Sequence, residues 1–251
     1  MTTYPITIQQ VLTELDYIIN DAIQTANPKG YFAALYRTVT AAVQKGIQAK
    51  AFEDNERMEK LDVVFANRYL FAYNAYFHQQ ECTKAWKIAF DETKNNQLLV
   101  LHHLFLGMTA HIMLDLGIAA AEICPHKQIH GLENDFKQIN VLLSSMIEGV
   151  EEKLSKISPP FFLLDYVGGK QEEKLAAFCM RIAREGAWLN ALQLAKVHNT
   201  AKWDTTIRQI DQRACLLSYS ILPHGLAKYA VKWARRTEIK NNAKIIEILA
   251  K

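Results

Sequence analysis

Residues 98–124 read LLVLHHLFLGMTAHIMLDLGIAAAEIC, a run apolar on every side that still carries three histidines, an aspartate and a glutamate. Its length approaches that of a membrane span. Ionisable groups near a bilayer centre, however, cost roughly 2.5–3.5 kcal/mol each on insertion scales. A helix apolar all round in a water-soluble chain is instead a central core helix, enclosed by the others. The run predicts an all-α bundle built around a helix at about 97–124, with no membrane span.

Outward from that helix, apolar residues recur at helical spacing through nearly the whole chain, and no run alternates over a strand length. Only ten glycines and six prolines punctuate 251 residues, which favours long helices. Thr7 is the expected cap of a first helix ending near 25, stopped by the turn Asn27-Pro28-Lys29-Gly30. Further helices are expected at about 31–51, 56–80, 85–93, 133–156, 171–197 and 203–222, and two short ones start near His224 and Asn242. The third carries Met58, Leu61, Phe65 and Ala72 on one stripe. Ser158-Pro159-Pro160 through Gly168-Gly169 is the only loop-rich stretch. The expectation is one all-α domain over 1–251, of about eight to ten helices, with room for a C-terminal helical layer from about 170.

Half of the residues are hydrophobic, enough for a sizeable core, and a charged fraction of 22% is that of an ordinary globular chain. A net charge of +3 is too mild for a nucleic-acid footprint, so nucleic acid is not an expected partner. Lys228, Lys232, Arg235, Arg236 and Lys240 read as a solvated helix face. Four scattered cysteines without a CxxC pair suit reduced thiols, and the first residues lack a signal-peptide pattern, so the expected location is the cytoplasm.

Within the central run, His103, Gly107, His111 and Asp115 follow one another at four-residue steps, a stripe that drifts about 40° per step on an α-helix. His111 and Asp115 are neighbours on one face. Such a pair can bind one metal ion, or the carboxylate can orient the imidazole for acid–base work. It can equally be a structural tie, because an unpaired buried charge is expensive. His103 lies about 12 Å along the axis from His111, too far to share one ion. Gly107 leaves space for another helix or a ligand. Arg68 falls on the apolar stripe of the third helix, so it requires a carboxylate partner, with Asp115 and Asp135 as candidates. Asp62 and Tyr69 form a neighbouring face, and Asn140 sits between Ile139 and Val141. A third metal ligand would come from Asp62, His78 or Asp135. No GxGxxG, GxxxxGK[ST], GxSxG or HExxH motif is present, nor paired Glu-x-x-His, so no nucleotide cofactor is expected.

The runs ALYRTVT (34–40), AFEDNERMEKLDVVFANRYLFAY (51–73), WKIAF (86–90), HHLFLGMTAHIMLDLGIAAA (102–121) and NDFKQIN (134–140) resemble domain-of-unknown-function family 5995, over roughly residues 30–165. The resemblance implies a helical fold and marks Arg37, Asp62, Arg68, Tyr69, Trp86, His103, His111, Asp115, Asp135 and Asn140. It supplies no reaction. Thr109 stands where the family pattern has asparagine. LGMTAHIMLD is also similar to a helix of zinc-dependent phospholipase C, which implies His111 and Asp115 as metal ligands, although that family's further histidine is Ala121 here.

Two expectations follow. One is a metal-assisted hydrolase of a small anionic or phosphoester substrate. In it zinc, manganese or iron sits on His111 and Asp115, Arg68, His103 and Tyr69 are catalytic, and Arg37, Asp62, Asp135 and Asn140 bind substrate. The other is a non-catalytic helical module that buries an apolar ligand or a partner helix, with the polar residues as ties between helices.

Overall fold

The computed structural model describes residues 4–158 and 184–251, and among these there are eleven helices and no strand. They are α1 (Ile8–Gln24), α2 (Gly30–Gln48), α3 (Asn55–Phe77), α4 (Lys84–Asp91), α5 (Val100–Ile123), α6 (Glu133–Ser145), α7 (Ile147–Ile157), α8 (residues 184–195), α9 (Thr200–Ile221), α10 (Ala227–Arg235) and α11 (Asn242–Ala250). The loop-rich stretch after Ser158, the start of the helix expected at 171 and Cys179 lie outside the described residues. Cys82, Cys124 and Cys215 are free thiols.

The helix starts follow local chemistry. The side chains of Thr7, Asp54, Asn199 and Asn241 each accept a hydrogen bond from a backbone N–H of the first turn they precede. The helix expected at 133–156 is two helices. A tight bond from Met146 N to Leu143 O closes α6, and α7 starts afresh.

α5 is long and apolar enough to cross a membrane, yet 83% of its most apolar stretch is buried inside the protein, the position of a core helix. α2, α3, α4 and α9 all pack against it. One buried cluster runs from Val11 in α1 to Leu249 in α11 and includes Leu104, Leu106, Ala110, Leu114 and Ile118 of α5. Two glycines set the closest approaches. A Cβ on Gly107 would lie 2.5 Å from the ring of Phe32 on α2, and one on Gly117 would lie 2.7 Å from the carbonyl oxygen of Ala187 on α8. The space at Gly107 is thus filled by Phe32 of a neighbouring helix.

The middle of α5, Thr109–Leu116, is a π-helix. Its i→i+5 ladder turns each residue through less than the α-helical angle, so the drifting stripe expected from His103 to Asp115 is interrupted after Met108. Asn190 of α8 donates from Nδ2 to Met113 O within the widened turn (2.9 Å), and Arg213 of α9 donates in turn to Asn190 Oδ1 (2.9 Å). Two helices, α8 and α9, are thereby tied to the segment that carries His111 and Asp115.

Candidate functional site

Asp115 is 1% exposed and receives three donors from three elements. Arg68 Nε of α3 donates to Oδ1 (3.0 Å), Trp86 Nε1 of α4 donates to Oδ2 (2.7 Å), and His111 Nδ1 lies 3.3 Å from Oδ2. Arg68 also approaches Glu122 Oε1 at 3.5 Å. Burial pushes the Glu122 carboxyl upward, and Arg68 opposes this. A neutral imidazole that donates from Nδ1 to Asp115 has its lone pair at Nε2, which is buried. Burial keeps His111 below the ordinary histidine value, with Asp115 pulling the other way, so the ring is neutral.

The ring of His111 stacks on Phe65 with centroids 3.6 Å apart and planes within 7°. Tyr36 meets it edge-on at 4.4 Å, and Phe32, Tyr69 and Trp86 complete an aromatic box within 6.1 Å. The helical phase of α2 places Phe32, Tyr36 and Val43 on one inward face. Both Tyr36 and Tyr69 have phenols raised well above their usual value by burial.

His111 forms part of the wall of a cavity of about 260 Å³ between α2, α3, α5, α6 and α7. Leu35, Val39, Leu101, Leu104, Met108 and Ile139 are typical of its lining, which is almost wholly aliphatic and aromatic. Asp62 and Tyr36 also line it, and the half-buried Asn140, Glu151 and Arg184 belong to the same wall. Among the described residues, His111 Nε2, Asp62 Oδ2, Tyr36 Oη, Thr40 Oγ1 and Tyr69 Oη are buried without a hydrogen-bond partner. Tyr36 and Thr40 are close neighbours, and their hydroxyls influence each other. Asp62 is pushed up to about 7, chiefly by burial and then by the charge of Glu59.

The remaining residues singled out from the sequence lie elsewhere. Arg37 pairs with Asp16 (2.8 Å) on the outside of α1 and α2. Asp135 pairs with Arg57 (2.6 Å) and accepts from the backbone N–H groups of Glu53 and Asp54, an architectural knot at the start of α3. His103 is buried against Tyr31, with ring centroids 5.8 Å apart, and is not among the residues that line the cavity. Burial lowers it to about 3. His78 is exposed at the end of α3, with Nδ1 2.8 Å from Asn74 O. Sequence reasoning missed Tyr36 and Thr40. Their signal was a pair of polar groups four residues apart on the apolar face of α2, the same kind of anomaly that drew attention to Arg68.

A divalent ion does not suit this donor set. A catalytic zinc takes three protein ligands. Among the described residues no three His, Cys, Asp or Glu side chains gather to hold an ion. Both oxygens of Asp115 are engaged by N–H donors, and the Arg68 guanidinium stands where the cation would sit.

The chain belongs to the family of unknown function DUF5995, whose model matches residues 8–224. The match extends beyond the 30–165 legible from the quoted runs, to α1 on one side and through α9 on the other. No curated protein and no solved structure matches the chain.

Proposed function

We propose that the protein is a helical binding module that encloses a small apolar molecule in the cavity beside His111. The observation that carries this reading is a cavity of about 260 Å³ with an almost wholly aliphatic and aromatic wall, into which a neutral, buried imidazole is set. Apolar cavities of roughly 150 Å³ stay dry and admit benzene, so this one suits a ligand of about ten non-hydrogen atoms. The Arg68–Asp115–Trp86 cluster then serves to hold the His111 ring in one orientation. A metal-assisted hydrolase draws less support, because the carboxylate it needs is already engaged.

The test is calorimetric titration with naphthalene and with a linear eight-carbon alkane, on the wild type and on Leu101→Trp. The larger side chain fills the cavity from α5. Saturable one-to-one binding by the wild type, lost in a variant of unchanged helicity, supports the reading. Binding of equal strength in both proteins, or none by either molecule in a folded wild type, overturns it.

A further inference from the structure

Of the nine residues of α10, Ala234 alone is buried. The segment around it, LPHGLAKYAVKWARRT (222–237), carries Lys228, Lys232, Arg235 and Arg236 and neither aspartate nor glutamate. Leu226, just ahead of the helix, and Tyr229 and Trp233 within it are 85%, 74% and 61% exposed. At about 100° per residue these three share one face. Lys228, Lys232 and Arg236 succeed one another at four-residue steps, in a stripe along the flank of that face. All three are exposed, and among the described residues none of them pairs with a carboxylate. The end of the helix is fastened to the bundle. Arg235 Nη1 lies 3.3 Å from Glu238 Oε2, and that carboxylate accepts from Val100 N at the start of α5 (3.2 Å). Ile239 N donates to Ile157 O of α7 (3.0 Å). A short, anchored helix thus turns an apolar face and a basic stripe outward together.

We propose that α10 docks the protein on the surface of an anionic phospholipid bilayer, lying flat at the headgroup level. Leu226, Tyr229 and Trp233 enter the boundary of the acyl chains, and Lys228, Lys232 and Arg236 meet the anionic headgroups. Three features of the helix carry this. Tyrosine and tryptophan are the side chains suited to an interface that is apolar on one side and wet on the other. The lysine and arginine stems can lie along the apolar boundary while their charges stay among the headgroups. The cations face no acid of their own segment, so their charge is available to an anionic surface. A nucleic acid would meet the same cations through its phosphates but would keep Leu226 among charges and water. Docking of this kind inserts no span, and it is independent of the cavity beside His111.

The experiment is co-sedimentation of the full chain with vesicles of phosphatidylcholine alone and of phosphatidylcholine with about 30% phosphatidylserine. Wild type is expected to bind the anionic vesicles at least tenfold tighter than the neutral ones, and less as salt rises. Each cation near such a surface strengthens binding roughly fivefold, so Lys228→Gln, Lys232→Gln and Arg236→Gln together should weaken it about a hundredfold. Leu226→Ser with Trp233→Ser should weaken it about tenfold or more at unchanged charge. All five side chains are exposed, so helicity by circular dichroism should stay that of the wild type. Equal sedimentation of wild type with both kinds of vesicle, or with neither, would overturn the proposal without recourse to any variant. Undiminished binding by the Leu226/Trp233 variant would overturn the docking of the apolar face. Tighter binding to a DNA duplex than to anionic vesicles, lost in the charge variant, would overturn it in favour of nucleic acid. A dimer in sedimentation equilibrium that the Leu226/Trp233 variant abolishes would overturn it in favour of a second copy.

Discussion

Replacing Asp115 by asparagine keeps the shape of the side chain and removes its charge and its capacity to accept at both ends. In the native protein Oδ1 faces Arg68 Nε, while Oδ2 faces Trp86 Nε1 and His111 Nδ1. The amide –NH₂ must occupy one of these two positions and meet an N–H there. Turned toward Arg68 it opposes the guanidinium, and turned toward Trp86 it opposes the indole. One buried donor is left unpaired in either orientation, at roughly 1–3 kcal/mol. The guanidinium also loses its buried counter-charge, and breaking such a pair from one side typically costs about 3–5 kcal/mol in all. Arg68 is 22% exposed and keeps Glu122 at 3.5 Å, which favours the lower end of that range. For a chain of this length about 3 kcal/mol lowers Tm by roughly 10 °C. Urea unfolding followed by circular dichroism would measure it, with Arg68→Met and the double variant completing a cycle. The expected coupling between the two sites is about 1–2 kcal/mol. Asp115→Asn within about 0.5 kcal/mol of wild type, or additive single effects, would show that the buried cluster is not held together as described.

Three further perturbations follow from the packing and the titrations. His103 stands at about 3 when folded against an ordinary value of 6.5, so acid protonates the unfolded chain first. Wild type should lose about 2 kcal/mol relative to His103→Phe between pH 6.5 and 4.5, read by urea midpoints at each pH, and parallel curves would refute the buried neutral ring. Asp62 behaves oppositely, since its raised value means stability present below the unfolded carboxyl value and lost as pH rises toward 7. Asp62→Asn should therefore gain on the wild type by a few kcal/mol between pH 4 and 7, and a gap that does not change with pH would count against the shift. Gly107→Ala drives a methyl to 2.5 Å from Phe32, so despite the helix preference for alanine of about 1 kcal/mol it should destabilise by about 1–2 kcal/mol net; a rise in Tm would mean that Phe32 moves aside freely.

Much of the architecture can be read from residue patterns because the causes are local. Thr7 ahead of an apolar period marks a helix start, and a run apolar on every side has nowhere to go but the centre. The pairing of Arg68 with Asp115 follows from the same logic, since a guanidinium on an apolar stripe must find a carboxylate. What escaped depends on longer-range geometry. The π turn at Thr109–Leu116 has no signature in a spacing argument that assumes 100° per residue, so the stripe from His103 to Asp115 looked continuous although His103 packs against Tyr31 instead. Arg37 and Asp135 carry charge in patterns like that of Arg68, but their partners, Asp16 and Arg57, lie at the edge of the bundle. The aromatic box was invisible because each of its rings, taken alone, reads as core.

The widened turn in α5 bears on how the chain tolerates insertion and deletion. One i→i+5 turn stores a residue beyond what a plain helix of the same rise needs, while the helix on either side continues in phase. Removing a single residue between Thr109 and Leu116 would let that surplus go, and Gly107 would still meet Phe32 while Gly117 still met α8. The scaffold would survive an edit that shifts His111 or Asp115 out of line with Trp86 and Phe65. Scaffold and pocket are in this sense separable, and such a deletion would empty the site of its chemistry without dismantling the bundle around it.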